Sequence, residues 1–196
     1  MRTRALYLST ALAAGLLAAA CQRADTAANS PATAPVDSTA AAAPAAAPAA
    51  NPVIAADFVT AAAGSDMYEI AAAKVAQQKS KSAAIKAFAA KMIHDHSATT
   101  AEVKKLIASG KVKATPPTAM DDKHQGMIND LNQAAPGAFD KTYMDQQVAA
   151  HTDALGVFQT YASSGDNTDL KAFAAATAPK IQGHLDMAKQ IDSGLK

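Results

Sequence analysis

The sequence is poor in the residues that mark several common classes of protein. Among its 196 residues there is one cysteine, no tryptophan, and an aromatic content of only 5%. A single cysteine excludes an internal disulfide framework and a CxxC redox pair. The formal net charge is +1, and no basic stretch with interleaved aromatic residues supports nucleic-acid binding. Much of the 49% hydrophobic fraction is alanine, which favours closely packed helices and so indicates a helical bundle.

The sequence also lacks the motifs of common catalytic sites. No serine stands in a nucleophile elbow, and no glycine-rich loop has the spacing that holds a phosphate. The neighbouring carboxylates Asp121 and Asp122 are interpreted as charges at the start of a helix. We therefore predict no catalytic residue and no cofactor-binding residue, and the sequence favours a non-enzymatic protein.

The N-terminal residues have the organisation of a bacterial signal peptide. Arg2 and Arg4 form a positive region, and the apolar stretch over residues 5–20 is too short for an ordinary membrane span. Small residues then precede Cys21, in a pattern that resembles a lipobox, where the cysteine is lipidated and becomes the mature N-terminus. We expect residues 1–20 to be the signal peptide and Cys21 to be the lipidation site. The alternative is an ordinary signal peptide with a coincidental cysteine.

The residues after Cys21 bear on where the protein resides. By resemblance to the enterobacterial sorting rule, Gln22 rather than an aspartate favours the outer membrane. Pro44 and Pro48 interrupt an alanine-rich stretch, so residues 21–52 are predicted to form an extended linker. We therefore expect the remaining domain, residues 53–196, to be held by the lipid at the periplasmic face of the outer membrane. A soluble periplasmic or secreted protein is the alternative.

Apolar periodicity predicts four long helices and one short helix in this domain. Ser82 is placed to cap the second helix, and Pro136 is placed in the first turn of the fourth. The helices are expected over residues 57–79 (with a start as early as 51), 83–110, 118–134, 136–163 and 168–193.

Each long helix carries one large polar side chain near the middle of its apolar face. On the second helix, for example, Met92 and Val103 lie within about 40° of His96 at 100° per residue. The four residues are Glu69, His96, His151 and His184. Counted from the turns at 1.5 Å per residue, the two members of each hairpin differ in depth by about 5–6 Å. They are therefore predicted to form a polar cluster across four helices.

The lengths of the connections predict the topology. Short turns join the first helix to the second and the fourth to the fifth, whereas a longer connection that includes the short helix separates the two hairpins. Two hairpins joined by one long crossover are typical of ferritin-like folds. The predicted fold class is therefore all-α, a ferritin-like four-helix bundle with a short crossover helix.

Several motifs in residues 57–191 resemble those of a known family. They are Phe58-Val59 with Glu69 downstream, Ala87-Phe88-Ala89 leading to Met92 and Asp95-His96-Ser97, Tyr143 before His151, and Leu170–Ala174 leading to His184-Leu185. These features resemble the ferritin-like bacterial domain-of-unknown-function 4142 family, whose members are described as outer-membrane or secreted proteins. The resemblance implies a signal sequence, a ferritin-like bundle and no assigned activity. An aspartate often precedes the histidine on the fourth helix in that pattern, where this chain has Ala150.

Two interpretations of the polar cluster are open. In the first, Glu69 pairs with one or more histidines in a buried hydrogen-bonded network, because burying such groups unpaired costs several kcal/mol. In the second, the cluster binds a single transition-metal ion, since imidazoles and a carboxylate suit Zn, Fe, Ni or Cu. Met92, Met144 and Met187 could add thioether ligands that suit copper, although filling gaps in the core is the stronger explanation for them.

A di-iron site is not expected, because Ile93 and Ile181 stand where the Glu-x-x-His motif needs glutamates. His124 is interpreted as packing or partly exposed on the short helix, and His94 and Asp95 as solvated surface. The favoured function is an envelope-anchored, non-enzymatic bundle that binds an unknown protein or small-molecule partner or has a protective role. The alternative is a metal-binding or redox bundle.

Overall fold

The computed structural model describes residues 53–195, and this part of the chain is all-helical. Its helices begin and end close to the predicted positions. They are α1 (Ala55–Lys79), α2 (Ala83–Ala108), α3 (Asp122–Gln133), α4 (Pro136–Ser164) and α5 (Thr168–Ser193). The predicted all-α class is therefore confirmed. The predicted signal peptide, Cys21 and nearly all of the linker lie outside the described residues.

Capping side chains fix where three of the helices begin. The side chains of Ser82, Asp121 and Asn167 each accept a hydrogen bond from a backbone N–H three residues later. Helix α4 instead begins with Pro136, whose fixed φ suits a first turn. The expected start of the short helix at Thr118 was wrong, because the cap at Asp121 places its first helical residue at 122.

Each long helix packs antiparallel against two others. α1 pairs with α2 and α4 with α5, and in addition α1 contacts α4 and α2 contacts α5. At one end of the bundle the Lys79 ammonium donates to the carbonyl of Ala134 (3.0 Å), which joins the end of α1 to the start of α4. At the other end the Val53 N–H donates to the Ser164 carbonyl (3.2 Å), which joins the start of α1 to the end of α4.

The connection between the hairpins runs from one end of the bundle to the other. It starts beside α5, where Asn167 donates to the Lys111 carbonyl (2.9 Å). It ends beside α1, where Lys79 donates to the Leu131 carbonyl (2.8 Å). On the way, α3 packs on α1 and α4. Because α2 and α4 are parallel, the chain has to cover this distance before the second hairpin can begin.

The hydrophobic core forms two clusters at different levels of the bundle. The first cluster surrounds Met92 and Tyr143, and the second surrounds Phe58 and Phe173. In the second cluster the Phe58 ring stacks on Tyr161 with centroids 4.1 Å apart. On each long helix one or two buried ionisable residues lie where the first cluster gives way to the second. We call these residues the polar layer: Asp66, Glu69, His96, His151 and His184.

No helix within residues 53–195 has the length and apolar character needed to span a membrane.

Candidate metal centre

Three histidines from three different helices meet in the polar layer. His96 on α2, His151 on α4 and His184 on α5 are only 6%, 1% and 4% exposed. One ring nitrogen from each lies within 4.8 Å of those of the other two. The ring centroids are 5.4–5.7 Å apart, close enough for one small ion to contact all three rings. The structure thus brings together three of the four predicted site residues.

Each of these rings is held by a hydrogen bond at one of its two nitrogens. His96 Nδ1 lies 2.8 Å from Asp66 Oδ1, and His184 Nε2 lies 2.8 Å from Asp95 Oδ2. His151 Nδ1 lies 2.9 Å from the Gln147 carbonyl oxygen one helical turn earlier. A carboxylate or carbonyl at one nitrogen makes that nitrogen the N–H donor, so the lone pair is on the other. This is the arrangement that orients and fixes the tautomer of metal-binding histidines.

The nitrogens that would carry the lone pairs have no hydrogen-bond partner within residues 53–195. They are His96 Nε2, His151 Nε2 and His184 Nδ1, and each is fully buried. A buried polar atom without a partner costs about 1–3 kcal/mol, so native structures rarely leave three together. The hydrogen bonds to Asp66, Asp95 and the Gln147 carbonyl engage only the opposite nitrogen of each ring. A metal ion would satisfy all three at once, since imidazole nitrogen is a common ligand of Zn, Cu, Fe and Ni.

Glu69, the fourth predicted site residue, lies beside this group and not within it. Its Oε1 is 3.6 Å from His151 Nδ1, the nitrogen that already donates to the Gln147 carbonyl. Burial raises the pKa of Glu69 to about 7, against the opposing influence of His96. A carboxyl group with this pKa is partly protonated at neutral pH. Because its oxygens are not among the ligand atoms that lie within 4.8 Å of one another, Glu69 is a buried neighbour of His151 outside the three-histidine group.

The electrostatics differ among the three histidines. Burial and the neighbouring His96 lower the pKa of His151 to about 3, and burial lowers that of His184 against the pull of Asp95. Burial also acts to lower the pKa of His96, but Asp66 and Glu69 outweigh it, so the net shift is upward. His151 and His184 are thus neutral at pH 7 and able to coordinate. A proton on the metal-free cluster would be held by His96.

Two carboxylates that orient the histidines were missed or misread in the sequence. Asp66 is buried and also accepts hydrogen bonds from the Thr99 and Thr100 hydroxyls (each 2.8 Å to Oδ2). It lies three residues before Glu69 and therefore on the same side of α1, which was an available signal. The expectation that Asp95 is solvated surface was wrong, because it bonds His184 across the α2–α5 contact. The neighbouring His94 is exposed as expected.

Of the other candidate ligands, His124, Met92 and Met144 take part in packing, whereas Met187 lines the same cavity as His96 and His184. His124 is half-buried on α3, bonded to Asp121 and stacked on Tyr68, which agrees with the packing role expected for it. Met92 and Met144 are fully buried in the first core cluster. Their position there is typical of methionines that fill gaps between alanine-rich helices.

Most of the chain matches one known protein family. A model of the family described as Domain of unknown function (DUF4142) matches residues 39–191. The chain belongs to the DUF4142 family. This confirms the family that the sequence motifs resemble, while its ferritin-like assignment stays a prediction.

One solved structure shares the fold of this DUF4142 chain. It is CopM in the Cu(II)-bound form, which aligns over 74% of this chain and 99% of the CopM chain, with a TM-score of 0.62 and 17% identity. At this identity the likeness extends to the fold alone. No curated protein matches the sequence.

In this DUF4142 chain the histidine cluster borders a cavity of about 560 Å³ that reaches the protein surface. His96 and His184 line it, together with the aspartates that orient them, whereas His151 does not. Residues from all four long helices line the cavity. The polar layer is therefore accessible from the cavity at His96 and His184, whereas the cavity does not reach His151.

Proposed function

We propose that this protein binds a single divalent transition-metal ion through His96, His151 and His184. The proposal rests on three buried ring nitrogens, one per histidine, that have no hydrogen-bond partner in the described part of the chain. Each belongs to a ring whose other nitrogen is hydrogen-bonded to a carboxylate or a carbonyl. Three histidines are a ligand set that proteins use for zinc, and imidazole equally suits copper and nickel. Asp66, Asp95 and the Gln147 carbonyl would hold the ligands in place.

Copper is the first ion to test. CopM in its Cu(II)-bound form shares the fold, which supports placing a copper-binding function in a bundle of this kind. The core of helical bundles is also where ferritin-like proteins, the fold predicted for this chain, build their metal sites. Their di-iron chemistry is not part of the proposal, because Ile93 and Ile181 replace the glutamates that it needs.

The proposal includes a location in the cell envelope. The positive residues, the short apolar stretch and Cys21 support a lipoprotein anchored at the periplasmic face of the outer membrane. Residues 21–52 would then act as a tether between the lipid and the bundle. A protein in this position would hold metal ions in the periplasm, and any protein or small-molecule partner would meet it there.

Metal analysis of untagged protein tests the proposal. Purified protein incubated with Cu(II), Zn(II), Ni(II) or Fe(II) and then dialysed should retain one equivalent of at least one of these ions. His96→Ala and His151→Ala should lose it while keeping the helical circular dichroism spectrum. His94→Ala is the matched control, because this exposed histidine neighbours the site in sequence and is no part of it. Retention below about one-tenth of an equivalent for every ion would refute the proposal.

A further inference from the structure

The cavity beside the histidine cluster has the features of a ligand pocket. Its volume of about 560 Å³ falls within the range of about 300–1,000 Å³ found for small-molecule sites. A water molecule or a chloride ion would fill only a small part of it. The cavity extends from the buried His96 and His184 to the exposed side chains of Lys91 and His94. It therefore connects the solvent to the position where the proposed ion would lie.

The ligands leave one side of the ion free. Three protein donors leave a fourth position for an exogenous ligand in tetrahedral metal sites. Since His96 and His184 line the cavity and His151 lies behind them, that position would face the cavity. Asp66 and Asp95 also line it, but each is already engaged by one of the histidines. The second oxygen of each is engaged as well, that of Asp66 by the Thr99 and Thr100 hydroxyls and that of Asp95 by His94.

The walls of the cavity are apolar next to the site. Phe158 and Ile181 line it and are only 5% and 4% exposed overall, and Met187 lines it one helical turn from His184. Apolar walls with a few convergent polar groups are typical of pockets for small organic ligands. A molecule with one donor group at its end could thus bind the ion and pack its hydrocarbon part against these three side chains.

The charge around the cavity favours an anion. Among the residues that line the cavity, Lys91 and Lys180 balance the two aspartates, so Glu102 would offset one of the two charges of a divalent ion. Glu69 does not line the cavity and lies beside His151. An uncompensated positive charge in a partly buried site attracts a negatively charged ligand.

We infer, on the basis of the proposed function, that the metal site takes a small organic carboxylate from this cavity. One carboxylate oxygen would coordinate the ion at its open position, and the aliphatic or aromatic part would lie against Phe158, Ile181 and Met187. The protein would then recognise a metal ion and an organic anion together. Acetate, butyrate and hexanoate form a series that tests this, because they share the donor group and differ only in apolar length.

The test uses the full mature chain loaded with Cu(II), or with Co(II) if copper does not bind. Azide and the three carboxylates are titrated separately, and binding is followed by the visible absorption and electron paramagnetic resonance of the ion. Azide should change the spectrum, which shows that a coordination position is open. Hexanoate should bind at least about tenfold more tightly than acetate, because each buried methylene adds to the affinity.

A pair of variants locates the carboxylate. Ala98 is exposed and lines the cavity, so Ala98→Phe should weaken hexanoate binding by about tenfold or more while azide still binds. Ala101→Phe is the matched control, because Ala101 is exposed on the same helix and does not line the cavity. Equal affinities for acetate and hexanoate, no spectral response to any anion, or equal effects of the two variants would each overturn the inference. Loss of the ion itself would instead refute the proposed function, so the two failures are distinguishable.

Discussion

The hydrogen bond between Asp66 and His96 offers the sharpest test of the metal centre. Asp66→Asn keeps the size of the side chain and removes the negative charge behind the ring. The change of a residue that orients a metal-binding histidine typically costs 10–100-fold in affinity, or about 1.4–2.8 kcal/mol. We expect the upper part of this range, because the side chains of Asp66 and His96 are both only 8% exposed and solvent cannot replace the lost interaction.

The same substitution at Asp95 should have a smaller effect. Its side chain is 21% exposed and is shared among Lys91, His94 and His184, each at 2.8 Å. Solvent and the neighbouring lysine screen its influence, so we expect a loss of less than about tenfold. Asp153→Asn serves as a control, because Asp153 is 64% exposed and pairs only with Lys123 in the described structure.

Competition with a chelator of known affinity measures these differences. Metal-loaded protein is titrated with the chelator, and the dissociation constants of the three variants are compared with that of the parent. The expected order of weakening is Asp66→Asn, then Asp95→Asn, with Asp153→Asn unchanged. If Asp66→Asn bound the ion within about threefold of the parent while the parent bound it stoichiometrically, the assignment of His96 as an oriented ligand would be refuted.

Four further predictions concern the ion, the core and the anchor. Protons compete with the ion for the imidazole nitrogens, so metal affinity should fall as the pH falls. Because the pKa of His96 is raised, this fall should begin above about pH 6.5, the ordinary pKa of histidine. A constant affinity from about pH 8 to 5 would contradict this prediction. Metal-free His151→Leu should change the free energy of unfolding in urea by no more than about 1 kcal/mol, because removal of the unpartnered Nε2 offsets the loss of the hydrogen bond from Nδ1 to the Gln147 carbonyl. A loss above about 3 kcal/mol would argue against an unsatisfied site. Phe58→Ala should lower the free energy of unfolding by about 3–5 kcal/mol, because the buried Phe58 ring would leave a cavity. A loss below about 1 kcal/mol would show that the packing of Phe58 on Tyr161 contributes little to stability. Cys21→Ser should move the protein from the membrane to the soluble fraction and remove the lipid seen by mass spectrometry, and unchanged partitioning would refute the anchor.

The sequence predicted the histidine cluster because helical periodicity alone determines which side chains face the core. His96, His151 and His184 each lie on the apolar stripe of a long helix, and counting from the turns brings them to similar depths. Their meeting follows from the packing of α2 and α4 against α5 at matching depths. The same reasoning found the bounds of four helices to within a few residues, since Ser82 and Pro136 mark their starts locally.

The orienting carboxylates could not be predicted in the same way. Asp95 lies next to His96 in sequence but serves His184, because it points from α2 toward α5. The helix that packs beside α2 is determined by the assembly of the whole bundle. The sequence of α2 alone therefore does not show which neighbouring residue Asp95 will meet. Glu69 has the correct face and depth, yet its carboxyl lies on the Nδ1 side of His151, away from the three unpartnered nitrogens. The helix face on which a residue lies does not specify which nitrogen of a neighbouring imidazole ring its side chain will contact.

The division of the core into two hydrophobic clusters has a consequence for motion. Both ends of the bundle are held by close apolar packing, whereas the middle of the bundle contains the polar layer and the adjoining cavity. Without an ion, the middle of the bundle should therefore open more often than the ends. Amide hydrogens near His96, His151 and His184 should then exchange faster than those of the two hydrophobic clusters. An ion bound by α2, α4 and α5 would join three helices at this level and slow their exchange, while α1, which provides none of the three histidines, would be slowed least. The bundle could in this way admit or release an ion by loosening its middle while both ends remain folded.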